Sequence, residues 1–287
     1  MSRQAYVNGR FVPHGQAVVH IEDRGYQLAD GVYEVWAVFN GRLADSEGHF
    51  ARLERSLNEL RITPPMSRKA LEVVLRETLR RNRVREGLLY LQVTRGTARR
   101  DHAFPAPDTA PSIVVTAKSL DRAGSNAKAE AGVGVITLPE NRWGRCDIKT
   151  VGLLPNVLAK QAARERGAAE AWFVDDIGLV TEGASSNAWI LDQDGVLRTR
   201  DTNANILRGV TRNSLLEVIG QTGLKVEERP FTPQEALEAR EAFITGAGTL
   251  VTPVISIDGK PVGNGKPGEV ALRLRDLYIR HAQNAGI

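Results

Sequence analysis

Hairpins joined by tight turns restrict the fold of this chain more than any other sequence feature. Asn8-Gly9 and Asn40-Gly41 each separate two short apolar segments, and Asn-Gly is typical of a two-residue hairpin turn. Residues 187–199 and 251–263 also have hairpin patterns. Because hairpins pair strands antiparallel, and they outnumber strand–helix–strand crossovers here, the sequence predicts mixed sheets rather than one doubly wound parallel sheet.

The length of 287 residues is sufficient for two α/β units. Residues 119–132 have the low hydrophobicity of an interdomain linker. The sequence therefore predicts a small N-terminal domain at 1–118 and a larger C-terminal domain at 133–287, which would carry the lysine described below. A helix of the second domain is expected to begin with Thr211 as its N-cap.

Composition argues against several functional classes. The 38 basic and 34 acidic residues are interspersed, and no basic stripe with exposed aromatic residues suggests nucleic-acid binding. No apolar run approaches the roughly 18 residues of a membrane span, and the N-terminus lacks a signal core. The single cysteine, Cys146, fits a reducing compartment. We expect a cytoplasmic protein with no membrane, nucleic-acid or metal site.

Lys149 is a candidate for covalent chemistry. It lies in WGRCDIKTVG (143–152), close to Arg142 and Arg145. Neighbouring cations favour a neutral amine, which can attack a carbonyl group. A solvated surface lysine is the ordinary alternative, and spacing alone does not decide between the two.

Glu182 is a candidate partner for a cationic heterocycle. It lies in the Gly/Ser-rich segment VTEGASSNAW (180–189), between two predicted strands. Such an acid is either exposed in a β-turn or buried and directed at a protonated ring nitrogen, which needs a carboxylate to act as an electron sink.

Three features could bind a phosphate group. In LRGVTR (207–212) the chain enters a helix through Gly209, so that amides near Val210 and Thr211 point out of its positive end. The Gly-rich turn in ITGAGTLVTP (244–253) could surround an anion with N–H groups. Arg52 offers a guanidinium on a helix. An ordinary cap, turn or surface arginine is the alternative in each case.

The loop RGTARRDHAF (95–104) carries Arg99, Arg100 and His102. A guanidinium matches the planar shape of a carboxylate, and a histidine adds a donor. The loop is therefore a candidate carboxylate receptor, with a solvated basic loop as the alternative.

Taken in order, these segments resemble the class IV pyridoxal-phosphate-dependent aminotransferases, and most closely the bacterial members that act on D-amino acids. The matching segments are EDRGYQLADGVYEV (22–35), HFARLERSLNELRI (49–62), YLQVTRGTARRDHAF (90–104), RWGRCDIKTVGLLPNVLAKQ (142–161), TEGASSN (181–187), ILRGVTR (206–212) and VTPVISIDGKPV (251–262). The resemblance implies a two-domain α/β (α+β) fold with mixed sheets and the cofactor between the domains.

The resemblance also implies roles for individual residues. Lys149 would hold pyridoxal 5′-phosphate as an internal aldimine and move a proton between the substrate Cα and C4′ of the cofactor, while Glu182 would face the pyridine nitrogen. The phosphate would be bound by Arg52, by the amides of Val210 and Thr211 and by the Gly246-Ala247 turn. Leu207 would pack on the ring face, Arg142 would lie near the phenolic oxygen, and Ser185 would also contact the cofactor.

The substrate carboxylate would be bound by Tyr33, Arg100 and His102. The last two residues would come from the neighbouring subunit, which implies a homodimer whose active site is shared. Two adjacent arginines leave open whether Arg99 or Arg100 grips the carboxylate. Ala247 replaces a threonine that is common in the family, so cofactor retention is expected to be weaker.

The resemblance predicts a transaminase that moves the amino group of a D-amino acid to a 2-oxo acid such as 2-oxoglutarate by a ping-pong mechanism. The alternatives on the same fold are an (R)-selective amine transaminase, a branched-chain L-amino acid aminotransferase and an aminodeoxychorismate lyase. A cofactor-free binding protein is a further alternative, which Lys149 and Glu182 together disfavour. Trp36 and Phe39 are expected to add aromatic bulk near the substrate pocket.

Overall fold

The computed structural model describes residues 3–202, 205–284 and 286–287. The chain forms two compact units. Unit 1 comprises Met1–Asp121, Ile148–Gly152 and Ala285–Ile287, and unit 2 comprises Arg122–Asp147 and Leu153–Asn284. Among the described residues, no helix has the length and apolar character that a membrane span requires.

Unit 1 contains one six-stranded sheet. Its strands are β1 (Gln4–Val7), β2 (Arg10–Pro13), β3 (Gly31–Phe39), β4 (Arg42–Leu43), β5 (Gly87–Thr94) and β6 (Ser112–Ser119), in the order β2-β1-β6-β5-β3-β4. Every pairing is antiparallel. Asn8 and Gly9 adopt φ values of 44° and 91°, and Asn40 and Gly41 adopt 53° and 79°. Both Asn-Gly hairpins are therefore confirmed, because this left-handed backbone suits the twist of the joined strands.

The described part of unit 1 also contains three α-helices, and the second and third of them pack their apolar residues against one face of this sheet. They are α1 (Arg24–Leu28), α2 (Ser46–Glu59) and α3 (Arg68–Asn82), and Ser67 is the N-cap of α3, since its hydroxyl accepts from the amide of Ala70. Burial alternates along β3, where Val32, Glu34 and Trp36 are buried while Tyr33 and Val35 are partly exposed. Since successive strand residues point to opposite faces, Tyr33 lies on the face away from the helical core.

Unit 2 contains a nine-stranded sheet. Its strands are β7 (Val133–Pro139), β8 (Glu170–Val174), β9 (Val180–Gly183), β10 (Asn187–Leu191), β11 (Val196–Thr199), β12 (Lys225–Glu228), β13 (Glu241–Gly246), β14 (Leu250–Ile257) and β15 (Lys260–Pro261). The order is β12-β11-β10-β13-β14-β7-β8-β9, with β15 paired to β14. The pairs β7–β8, β7–β14 and β11–β12 are parallel and the others antiparallel, so this sheet is mixed.

The helices of unit 2 include one in the predicted linker. They are α4 (Arg122–Ala131), α5 (Leu154–Glu165), α6 (Val210–Ile219), α7 (Pro233–Glu238) and α8 (Glu269–Asn284). Helix α4 lies within the segment that low hydrophobicity assigned to a linker. Arg275 of α8 donates to the side chains of Ser125 and Asn126 at 3.0 Å each, so a buried arginine fixes α4 through polar contacts. Hydrophobicity does not reveal such an anchor.

Candidate active site

Lys149 lies beside the beginning of strand β3. Its carbonyl accepts from the amide of Tyr33 at 3.0 Å, and the amide of Val151 donates to the carbonyl of Gly31 at 3.1 Å. This strand-like pairing explains why Ile148–Gly152 groups with unit 1, whereas the sequence assigns Lys149 to the C-terminal domain. The Lys149 Nζ lies 4.2 Å from the centroid of the Tyr33 ring.

Tyr33 also contacts a second tyrosine on the neighbouring strand. The Tyr33 and Tyr90 rings stack with centroids 5.7 Å apart, and the Tyr90 hydroxyl donates to Gln92 Oε1 at 2.7 Å. Burial, with a smaller effect of Tyr33, raises the pKa of Tyr90 to about 12. Tyr90 therefore stays protonated at neutral pH and supports the Tyr33 ring that the sequence assigned to the substrate.

On the opposite face of β3, Arg52 pairs with a fully buried acid. The Arg52 guanidinium donates through Nε and Nη2 to the two Glu34 oxygens at 2.7 Å each, and His49 Nδ1 lies 2.7 Å from Glu34 Oε2. Burial alone would raise the pKa of Glu34, but Arg52 and His49 outweigh it and lower that pKa to about 2. Arg52 was predicted to bind phosphate, and the structure shows its guanidinium held by Glu34.

Burial also lowers the pKa of His49, against the opposing effect of Glu34. The sequence analysis did not predict the cluster of Glu34, His49 and Arg52. The signal that could have revealed it is the acid Glu34 at an inward-facing position of β3. Trp36 was expected near the pocket, but it is 0% exposed and packs against His49, with ring centroids 5.0 Å apart. That expectation is wrong, because the strand alternation turns Trp36 toward the core. Phe39 is likewise buried at 2% exposure.

In unit 2, Glu182 is buried in β9, and several donors hold its carboxylate. Its carboxylate accepts from Arg142 Nη1 at 2.5 Å, from Asn187 Nδ2 at 3.0 Å and from the amide of Leu207 at 3.1 Å. Asn187 Nδ2 also donates to the carbonyl of Leu207 at 3.1 Å. The predicted residues Glu182, Leu207 and Arg142 are thus brought together, and Asn187, which the sequence did not indicate, connects two of them.

Arg142 lies in a dense set of acceptors. Its guanidinium also donates to both Glu140 oxygens at 2.6–2.8 Å and stacks over the Phe173 ring at 4.7 Å. Burial would lower the pKa of Arg142, but Glu140 and Glu182 outweigh it and raise that pKa. The other arginine near Lys149 in the sequence, Arg145, pairs with Asp147 at 2.9 Å. Both flanking cations are therefore ion-paired rather than uncompensated.

Helix α6 begins at Val210, with Gly209 as its N-cap. The prediction of Thr211 as the cap is wrong, because Thr211 already lies in the first helical turn and no side chain caps this end. Val210 and Thr211 are the first two residues of the helix, so their amides have no acceptor four residues earlier within it. These are the donors that the sequence assigned to a phosphate.

Position 209 requires a glycine because Asn187 lies too close for a side chain. A Cβ at Gly209 would lie 2.0 Å from Asn187 Oδ1, which is far inside van der Waals contact. We expect Gly209→Ala to displace Asn187 and reduce the free energy of unfolding by about 1–3 kcal/mol. Gly220→Ala, at the other end of α6, is the control, since its nearest contact would be 3.4 Å. Gly220→Ala should leave the free energy of unfolding unchanged or raise it by up to about 1 kcal/mol. Urea unfolding of both variants tests this, and equal effects would contradict it.

The predicted Ser185 lies in the turn between β9 and β10, over a second buried acid. Its hydroxyl donates to Glu170 Oε2 at 2.7 Å, and the Ser186 hydroxyl donates to the same oxygen at 3.0 Å. A Cβ at Gly246 would lie 3.2 Å from the Ser185 carbonyl, so the Gly246-Ala247 turn packs closely on this segment. The sequence did not indicate Glu170, which has no recognisable motif around it.

The predicted carboxylate-binding loop is exposed in unit 1. Arg99, Arg100 and His102 are all exposed, and no hydrogen bond or ion pair engages their side chains within the described part of the chain. Lys149, Tyr33, Arg52 and this loop therefore belong to unit 1, while Glu182, Arg142, Ser185, Leu207, α6 and the 246–247 turn belong to unit 2.

Residues 31–257 match the family model of amino-transferase class IV. The chain therefore belongs to the class IV aminotransferase family, which confirms the resemblance seen in its motifs. It is 44% identical over 261 residues to a D-alanine aminotransferase of Bacillus licheniformis, covering 91% of this chain and 90% of the relative. It is 38% identical over 283 residues to one of Staphylococcus aureus (strain MSSA476), covering 98% and 99%.

A solved structure, a branched-chain amino acid aminotransferase of T.th. with pyridoxamine 5′-phosphate, has the same fold. It superposes with a TM-score of 0.90 at 27% identity, covering 99% of this chain and 95% of that one. The predicted fold class is therefore confirmed.

Proposed function

We propose that this chain is a pyridoxal-phosphate-dependent transaminase that moves the amino group of a D-amino acid to a 2-oxo acid. The observation that carries the proposal is the similarity, over at least 90% of both chains, to a D-alanine aminotransferase. Within unit 1, the Tyr33 ring lies 4.2 Å from Lys149 Nζ, so a proposed substrate residue is next to the proposed reactive amine.

The residues present fit pyridoxal 5′-phosphate by their chemistry. The chain offers a primary amine at Lys149, a buried carboxylate at Glu182 and the first-turn amides of α6 for an anionic phosphate. Gly209 leaves the approach to these amides without a side chain. The structurally similar T.th. enzyme holds the pyridoxamine form of the same cofactor. When bound, pyridoxal phosphate supplies an electron sink that stabilises negative charge at the substrate Cα.

The proposed roles of the chain follow from this chemistry. Lys149 Nζ would hold the cofactor covalently, and its amine would move the proton between the substrate Cα and C4′ of the cofactor. Glu182 would face the ring nitrogen, and Arg142, Asn187 and the Leu207 amide would hold its carboxylate in place. Arg52, Val210, Thr211, Gly246 and Ala247 would bind the phosphate, Leu207 would pack on the ring, and Arg142 and Ser185 would complete the cofactor contacts. The pair with Glu34 fixes the Arg52 guanidinium for its role.

We also propose a homodimer with a shared active site. Arg100 and His102 are exposed and free to reach a neighbouring subunit, where they would bind the carboxylate together with Tyr33. Apolar side chains are exposed in both units, including Val18 at 77% and Ile21 at 75% in unit 1 and Leu154 at 69% on α5 of unit 2. Such side chains mark interfaces when they cluster. The single free cysteine, Cys146, supports a cytoplasmic location.

The half-reaction without an amino acceptor tests the proposal. D-Alanine, L-leucine and (R)-1-phenylethylamine are mixed separately with the enzyme loaded with pyridoxal phosphate, and the near-visible absorbance of the cofactor is followed. We expect D-alanine to bleach it rapidly and the other two to bleach it slowly. Faster bleaching by L-leucine or by the amine would replace this proposal with branched-chain or (R)-amine transamination. A protein that stays colourless in excess cofactor would contradict any transaminase function.

A further inference from the structure

We propose that Arg24 is a positioning residue that fixes the loop carrying Arg100 and His102, and thereby sets the affinity for the substrate carboxylate. The inference rests on the proposed function, because it assumes that this loop binds the carboxylate. All of the residues involved lie in unit 1.

Arg24 contacts the loop at the residue between the two proposed carboxylate ligands. Its Nη1 donates to the carbonyl of Asp101 at 2.7 Å. Among the described residues, this is the only hydrogen bond that reaches the backbone of 99–103 from outside that stretch. Arg24 is 3% exposed, although the loop that it holds is exposed. The position of Arg100 and His102 therefore depends on a buried guanidinium.

Asp30 fixes the Arg24 guanidinium. Its Oδ2 accepts from Arg24 Nε at 2.8 Å and from Arg95 Nε at 2.7 Å, and its Oδ1 accepts from Arg95 Nη2 at 2.9 Å. Burial alone would raise the pKa of Asp30, but Arg95 and Arg24 outweigh it and lower that pKa. Asp30 therefore stays charged at neutral pH and holds both arginines in place.

Arg95 fixes the first residue of the loop to the end of α2. Its Nη1 and Nη2 donate to the carbonyls of Arg61 and Leu60 at 2.9 and 2.7 Å. The Arg95 guanidinium also lies 3.8 Å from the Phe104 ring centroid, on which Arg61 packs at 4.8 Å. The two ends of the 95–104 loop are thus held by the same arginine, and Arg24 holds its centre.

The backbone of the 22–30 segment adds a second connection. The amide of Arg24 donates to the carbonyl of Gly96 at 2.9 Å, and the amide of Ala98 donates to the carbonyl of Glu22 at 3.3 Å. These bonds do not need the Arg24 side chain, so they remain in a side-chain variant. Loss of the Arg24 guanidinium should therefore loosen residues 99–103 and leave the start of the loop in place.

The test compares Arg24→Lys with Phe104→Leu, measuring the D-alanine half-reaction over a range of D-alanine concentrations. Lysine keeps the charge but cannot bridge Asp30 and Asp101 as the guanidinium does. We expect the apparent dissociation constant for D-alanine to rise by about tenfold or more, while the rate at saturation changes little. Phe104 is 50% exposed, so Phe104→Leu should fold, and it should raise the same constant by loosening the loop end.

Arg200→Lys is the matched control. Arg200 is also buried, at 6% exposure, and donates to a carboxylate and a carbonyl, those of Asp175 and Val180, but it lies in unit 2. It should lower stability without raising the dissociation constant for D-alanine.

Unchanged D-alanine affinity in both Arg24→Lys and Phe104→Leu, or an equal rise in Arg200→Lys, would overturn the inference. A fall in the saturating rate with no change in affinity would also overturn it. These results differ from a failure of the proposed function, in which the wild-type enzyme itself would not react with D-alanine.

Discussion

Lys149→Ala is expected to abolish amino transfer from D-alanine to 2-oxoglutarate. The variant loses the amine that we propose holds the cofactor and also the group that moves the proton at Cα. Loss of proton transfer alone costs on the order of 10²–10⁴-fold in rate. The fold should survive, because the contacts of Lys149 with β3 and with Ser56 Oγ are made by its backbone. Turnover measures the loss of activity, and the near-ultraviolet circular dichroism spectrum shows whether the fold is retained.

Borohydride reduction gives a direct chemical readout of the same prediction. Reduction should fix pyridoxal phosphate to the peptide that contains Lys149 in the wild type, and mass spectrometry should find no such label in Lys149→Ala. Lys118→Ala is the control, since Lys118 is an exposed lysine of unit 1. Label on another lysine of the wild type, or full turnover in Lys149→Ala, would refute the assignment.

In the cofactor-free protein, Glu34→Gln is expected to reduce the free energy of unfolding by about 3–5 kcal/mol, because it removes the carboxylate that pairs with the buried Arg52 guanidinium. Glu34 is 0% exposed and the side chain of Arg52 is 10% exposed. Glu77→Gln is a matched control. The pKa of Glu77 is also lowered to about 2, by hydrogen bonds with Arg80 and Arg81, but this pair lies on the surface of α3. Urea unfolding at neutral pH should separate the two variants clearly.

The effect of Glu34 should also depend on pH. Its pKa is lowered from 4.5 to about 2 on folding, so its contribution is complete above about pH 4.5 and is lost as the pH falls toward 2. The difference in unfolding free energy between the wild type and Glu34→Gln should therefore narrow below about pH 4.5. A difference that stays constant down to about pH 3, or equal losses in Glu34→Gln and Glu77→Gln, would show that the charge of Glu34 is not the cause.

The local elements of this protein could be predicted from the sequence because each depends on neighbouring residues. The Asn8-Gly9 and Asn40-Gly41 turns and the Ser67 cap are set by the backbone and side-chain preferences of those residues. The N-cap of α6 is Gly209 rather than Thr211, and the close approach of Gly209 to Asn187 is a contact that the local sequence does not show. Helix α4 was not predicted because the side chain that holds it is distant in sequence: Arg275, which donates to Ser125 of α4, lies 150 residues away.

The family, the candidate amine Lys149 and the candidate acid Glu182 followed from the sequence alone, because ordered motifs carry that information without coordinates. The three-dimensional structure was needed to place Lys149 against β3, to pair Arg52 with Glu34 and to assign the donors of Glu182 to Arg142 and Leu207. Such contacts join residues far apart in the chain, and no local pattern encodes their partner. Buried charges such as Glu34, Glu170 and Arg24 are stable only where the fold supplies their counter-charges and donors, so their roles could be recognised only once the fold was known.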